Sequence, residues 1–164
     1  MILLKTIKEL NLNNIRVSVV DCHVVYWEAD IPQYLTIKRA ADDRYPLIWQ
    51  CVTGGINDNE LAYKAAIREL KEETGLYPYK MWTVDQVNLF FEAEENRMNL
   101  IPVFGVEVTF DGVTISPEHT EYKWCTIDEG VDLLLWNQQK QGLKTFHKMI
   151  TEESKKLFLS KISF

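Results

Sequence analysis

The strongest β signal is the Val-rich stretch 15–27, followed by a second short strand at 34–38. Residues 28–33 between them are polar and contain Pro32, predicting a hairpin with that segment as its connection. Residues 40–46 read as a charged loop, and 48–53 as a short strand ending at Gly54-Gly55. Further strands are predicted at 84–91 and 100–110, with short β candidates at 113–116 and 122–126. Residues 128–135 and 139–150 carry helical patterns, the latter with 136–138 in its approach. The tail, 151–164, reads as an amphipathic helix. Strands and helices mix without strict alternation, which predicts an α/β fold with a mixed sheet flanked by helices.

Between Gly55 and Gly75 lies another helix. Asn57, Asp58 and Asn59 are candidate N-caps, Asn57 with Glu60 a candidate capping box, and Gly75 a natural C-cap. At about 100° per residue, Glu73 falls about 40° from Glu69, and Glu72 at about 300°. The three carboxylates share one arc, while Ala62, Tyr63, Ala66, Ile67 and Leu70 form the adjoining buried stripe. Lys64, Arg68 and Lys71 fall on the far, solvated side, so the carboxylates lie on the seam between core and water. Like charges at this spacing, near a helix C-terminus, oppose the helix. A hard divalent cation such as Mg²⁺ or Mn²⁺ would offset that cost. A solvated acidic face with pairs such as Arg68–Glu72 is the plainer alternative.

Composition narrows the partners. The chain has 164 residues, enough for one domain, 1–164, with a real core. A net charge of −6 argues against gripping a nucleic-acid polymer and requires metal or a basic pocket if the substrate is a polyphosphate. The three cysteines, Cys22, Cys51 and Cys125, form no CxxC pair and read as buried free thiols of a cytoplasmic protein. Residues 1–10 show no signal-peptide pattern, and no run approaches the length of a membrane span.

The residues Gly54, Glu60, Arg68, Glu69, Leu70, Glu72, Glu73, Gly75 and Leu76 satisfy the pattern G-x5-E-x7-R-E-U-x-E-E-x-G-U, where U is a bulky aliphatic residue. This segment, 54–76, resembles the Nudix box. The resemblance implies an α/β/α sandwich with a mixed sheet and a catalytic loop–helix–loop. It implies that Glu69, Glu72 and Glu73 ligate metal, and that Glu60 assists the metal site or orients Arg68, whose role is structural. Gly54 would permit the tight turn and close backbone approach.

Two flanking runs, WQCVTG at 49–54 and EHTEYKW at 118–124, resemble those of dATP and dihydroneopterin triphosphate pyrophosphohydrolases. That likeness assigns Glu118 as a further metal ligand or catalytic base, against the alternative of a plain loop acid. It makes Lys38, Arg39 and Thr53 candidate substrate contacts, against an exposed strand end. Trp136 would wall the base pocket or pack in the core. The segment 92–99 departs from those relatives: it is short and acidic except for Arg97, and Glu92, Glu94 and Glu95 read as a solvated turn.

The expected activity is metal-dependent cleavage of a nucleoside or pteridine triphosphate to the monophosphate and pyrophosphate, by a monomer or homodimer. Hydrolysis of a nucleoside-diphosphate sugar such as ADP-ribose, or of a dinucleoside polyphosphate, is the enzymatic alternative. A non-catalytic metabolite-binding regulator is the alternative of another class.

Overall fold

The computed structural model describes residues 14–109 and 111–164. The N-terminal segment read above for a signal peptide lies outside them, as does Phe110, the last residue of the strand expected at 100–110. The strands are β1 (Ile15–Arg16), β2 (Val19–Glu28), β3 (Ile31–Arg39), β4 (Trp49–Gln50), β5 (Val52–Gly55), β6 (Lys80–Glu92), β7 (Arg97–Val108), β8 (His119–Cys125) and β9 (Lys161–Ile162). The helices are α1 (Ala62–Thr74), α2 (Ile127–Leu133), α3 (Asn137–Thr151) and α4 (Ser154–Leu159). One sheet runs β4-β3-β2-β7-β6-β9, with β1 on β7, β5 on β2 and β8 on β3. The β1–β7 and β2–β7 pairs are parallel and the others antiparallel, so the sheet is mixed as expected.

Strand β2 separates the two faces. Val20, Cys22 and Val24 pack with Ala65, Ala66 and Leu70 of α1. Val25 packs on the other face with Leu143, Phe146 and Met149 of α3. Because side chains alternate along a strand, Asp21 and His23 fall on the α3 side. The result is an α/β/α sandwich. Among the described residues no helix is long and apolar enough to cross a membrane.

Several expectations change. The β2–β3 connection shrinks to Ala29-Asp30, both at positive φ (45° and 66°), the backbone of a tight hairpin turn. Pro32 therefore lies within β3, opposite Trp27 and ahead of Tyr34, the first of the β8-paired residues, where a missing N–H costs no ladder bond. The 48–53 strand breaks at Cys51 into β4 and β5. Helix α1 starts after Leu61, which gives no side-chain cap, so Asn57, Asp58 and Asn59 cap nothing. Glu60 does reach back to the Asn57 N–H, at 2.9 Å, as a capping box would, but outside the helix. Gly75 caps the other end in the left-handed conformation, φ 72°. Residues 113–116 form no strand; they hold α1 in place through Thr114 N–H to Thr74 O and Ser116 N–H to Glu73 O. The tail is not one helix, because β9 leaves α4 to pair with β6.

Candidate active site

Helix α1 does not present its carboxylates on a common seam. Its buried residues are Ala65, Ala66, Leu70, Glu73 and Thr74, so Glu73 sits within the inward face. Glu73 is 4% exposed, whereas the Glu72 side chain is 57% exposed. Glu69 lies between these extremes. Burial, and then the charges of Glu69 and Glu118, push the Glu73 carboxyl well above the usual carboxylate range; the Thr53 backbone N–H and Arg39 partly offset this. Glu69 is raised by burial, against the Arg68 guanidinium, and further by Glu72 and Glu118. Thus Glu118, contributed by the exposed turn before β8, faces the two inner carboxylates. The Ala40 N–H donates to its carbonyl at 2.8 Å and fixes that turn.

Arg68 is not on a solvated face. Its guanidinium donates to Glu60 twice at 2.9 Å, to Glu69 at 2.6 Å, to Glu72 at 3.0 Å and to the Gly55 carbonyl at 2.7 Å. It thereby ties α1 to the loop before it and balances three carboxylates. The pairing holds the Glu60 carboxyl down at about 2. Gly54 is required by space rather than by φ. A β-carbon there would overlap the Glu69 carboxyl, so only glycine lets that side chain lie against the β5 backbone.

One oxygen of Glu73, Oε2, is buried without a hydrogen-bond partner. Its Oε1 stands 3.8 Å from His119 Nε2, and burial holds His119 below its ordinary value. Among the described residues no three Asp, Glu, His or Cys side chains are grouped closely enough to hold a metal ion as they stand. Glu69 and Glu118 act on the Glu73 carboxyl through their charge, and oxygen donors of this kind suit a hard cation.

A cavity of about 490 Å³ opens on the α3 side of the sheet. Of the expected substrate contacts, Arg39, Thr53 and Trp136 line it. Lys38 does not: it pairs with Glu121 at 2.7 Å. Arg39 donates to Gln50 Oε1 at 3.3 Å and pairs with Asp43; the Thr53 hydroxyl donates to Val20 O at 2.9 Å. Trp136 stands edge-on to Tyr45 and Phe90, with centroids 5.5 and 6.2 Å away. The floor is polar. Buried Asp21 accepts from Asn88 Nδ2 at 2.7 Å and from Gln139 Nε2 at 3.1 Å. Burial raises the Asp21 carboxyl against those hydrogen bonds.

Glu92 corrects the reading of 92–99 as a wholly solvated turn. It is 6% exposed, lines the cavity, and pairs with Arg44 and Arg97. Those two guanidiniums hold its carboxyl below the usual range. Glu94 and Glu95 are exposed as expected, though Glu94 also pairs with Arg44 at 2.9 Å.

The geometry has its counterpart in known proteins. The family profile described as NUDIX domain matches residues 20–146, most of the chain. The chain belongs to the Nudix family. It is a Nudix hydrolase acting on phosphoric anhydride bonds. It is 35% identical over 66 residues to an RNA pyrophosphohydrolase of Novosphingobium aromaticivorans, covering 40% of this chain and only 37% of that relative. It is 27% identical over 135 residues to the dihydroneopterin triphosphate diphosphatase of Escherichia coli K12, covering 75% of this chain and 88% of the relative. The fold superposes on a Caenorhabditis elegans Ap4A hydrolase complex with a TM-score of 0.68 and 20% identity, over 82% of this chain and 98% of that one.

Proposed function

We propose that this Nudix hydrolase cleaves a nucleoside triphosphate, dATP-like, or dihydroneopterin triphosphate, to the monophosphate and pyrophosphate, using Mg²⁺ or Mn²⁺. The observation that carries the reading is the sealed Glu73 carboxylate, with one unpaired oxygen, set between Glu69 and Glu118. Burial and mutual repulsion both disfavour the ionised forms of Glu69 and Glu73 there. A divalent cation relieves that repulsion. In this reading Glu69, Glu72, Glu73 and Glu118 would hold the metal. When bound, it would lower the pKa of water and screen the phosphate charge.

The remaining work falls to the protein. Exposed Glu118 takes a proton from the attacking water. Arg39, beside Glu73 and on the cavity wall, donates to phosphate oxygens. Arg68 and Glu60 keep the loop and helix in register, and Gly54 leaves room for Glu69. Trp136 walls the space for the base. Lys38 pairs with Glu121 and does not line the cavity.

A panel of triphosphates, ADP-ribose and diadenosine tetraphosphate, assayed with Mg²⁺ and Mn²⁺ for products, tests the proposal. Monophosphate plus pyrophosphate from a triphosphate is the expected result. Turnover of ADP-ribose or the diadenosine compound, with triphosphates untouched, would replace it. The E. coli relative's name and the matching flanks favour the triphosphate.

A further inference from the structure

A sheet face left to water is ordinarily polar, and large apolar patches are rare on soluble monomers. The outer end of the β6–β7 hairpin breaks that rule. Val87, Leu89 and Phe91 of β6 and Met98 of β7 are between 36% and 55% exposed, and so are Ile15 of β1 and Val17 just after it. The register makes these six one surface. Phe91 lies opposite Met98, Met98 beside Ile15, and Leu89 opposite the half-buried Leu100. Partners across a ladder share a face. The alternate residues Asn88, Phe90 and Glu92 line the cavity, so the apolar stripe looks out on the α1 side. Helix α1 packs on that side only farther along β7, with Phe104, Val106 and Val108.

The course of the chain names what covers the rest. Residues 1–13 lie outside the described residues, and β1, which follows them, is itself an edge of the patch. Strand β1 runs parallel to β7, so the chain preceding Ile15 arrives at the hairpin tip, beside Met98. The segment reads MILLKTIKELNLN. At about 100° per residue, Leu3, Leu4, Ile7 and Leu10 would share an arc of about 120°, with Lys5 and Glu9 opposite. Eight residues, 3–10, wound as a helix reach about 12 Å, and the stripe from Val87 to Phe91 runs about 14 Å. Asn11, Asn13 and Asn14 supply turn residues, and the four positions 11–14 span up to about 13 Å, enough to bring the segment back over the face. A short link holds a tethered segment at roughly millimolar effective concentration, an advantage that a second copy of the chain lacks.

We propose that residues 1–13 lay the Leu3, Leu4, Ile7 and Leu10 face on this patch as an amphipathic helix, and so brace from behind the hairpin that walls the cavity. Docking requires neither metal nor substrate, so it stands or falls apart from the triphosphate reading.

Disulfide trapping in the full chain tests the docking. Cys22, Cys51 and Cys125 are buried, so an engineered pair reacts alone. Ile7→Cys or Leu4→Cys, each combined with Leu89→Cys, should close a disulfide within one chain severalfold faster than Glu9→Cys with Leu89→Cys. Non-reducing gels and thiol counting by mass spectrometry read the result. Equal rates show undirected collision and overturn the proposal. A disulfide joining two chains also overturns it and assigns the patch to a second copy. Deleting residues 1–13 should raise KM severalfold for the best substrate with kcat little changed, and Val87→Glu in the full chain should do the same. Partial loss of folded protein lowers kcat and leaves KM in place, so an unchanged KM in both variants overturns the bracing.

Discussion

Glu73 is the residue on which burial and charge disagree most. Its carboxyl lies 4% exposed on the inner face of α1, next to Glu69 and Glu118, with one oxygen unpaired. Removing the charge should relieve the fold while removing the chemistry. Glu73→Gln should therefore melt no lower than the wild type, yet lose at least about a hundredfold in kcat. A lower melting temperature with activity intact would reverse both halves of that assignment. Gly54 makes the complementary case through space. A methyl group at position 54 displaces the Glu69 carboxyl, the end of a flexible side chain, so Gly54→Ala should depress turnover while a urea melt moves little. Gly54, Glu69 and Glu73 could be singled out in the sequence because their spacing is local, within 54–76. The burial of Glu73 could not be. An ideal helix gives directions, but which arc faces inward is decided by what packs on it, and Ala65 and Thr74 turned the buried face toward Glu73.

Elements show the same limit more sharply. Helix α1, its Gly75 stop and the mixed sheet followed from periodicity and turn chemistry. The cavity did not, because it is assembled from β2 to β7, the loop before β4, and α3. Gln139 is 118 residues from Asp21 and Arg44 is 48 from Glu92, and isolated amides carry no spacing signal. Glu92 was misread for this reason: Arg97 stands in its own turn, but Arg44, the second guanidinium that pairs with it, lies 48 residues away. Arg68, by contrast, has partners on both sides of the loop–helix junction. Lysine cannot reproduce its fork. Arg68→Lys should lower both the melting temperature and turnover, whereas an ordinary exposed-arginine substitution would move neither. On the opposite face Gly105 of β7 lies under the Phe146 ring of α3, and an added β-carbon would overlap that ring. Gly105→Ala should cost at least about 1–3 kcal/mol through packing, in urea melts, by separating α3 from the sheet.

At the scale of the whole molecule the sheet divides two tasks. Carboxylates gather on the α1 side and a cavity opens on the α3 side, with Arg39 and Thr53 joining them. The α3 side also buries His23, whose Nε2 has no partner and whose imidazole burial pushes down to about 3. Its unfolded value is near 6.5. Between those values the unfolded chain holds a proton that the folded one refuses, so this residue makes stability fall as pH drops below about 6.5. Asp21 and Glu73, both raised, act with the opposite sign, losing stability as pH rises through the carboxylate range. The His23 contribution is therefore read as a difference. The stability of wild type minus His23→Leu should fall by up to about 1.4 kcal/mol for each pH unit lost between about pH 6 and 4; a flat difference would place the proton elsewhere. In the proposed reaction the α1 carboxylates form a divalent-cation site that drives pyrophosphate release. Its most direct test is a Mg²⁺ titration of turnover of the best triphosphate, for the wild type and Glu73→Gln in parallel. Saturable Mg²⁺ dependence, abolished by EDTA and lost by at least about a hundredfold in the variant, is the predicted result. Turnover that persists in EDTA, or that is the same in both proteins, would contradict it.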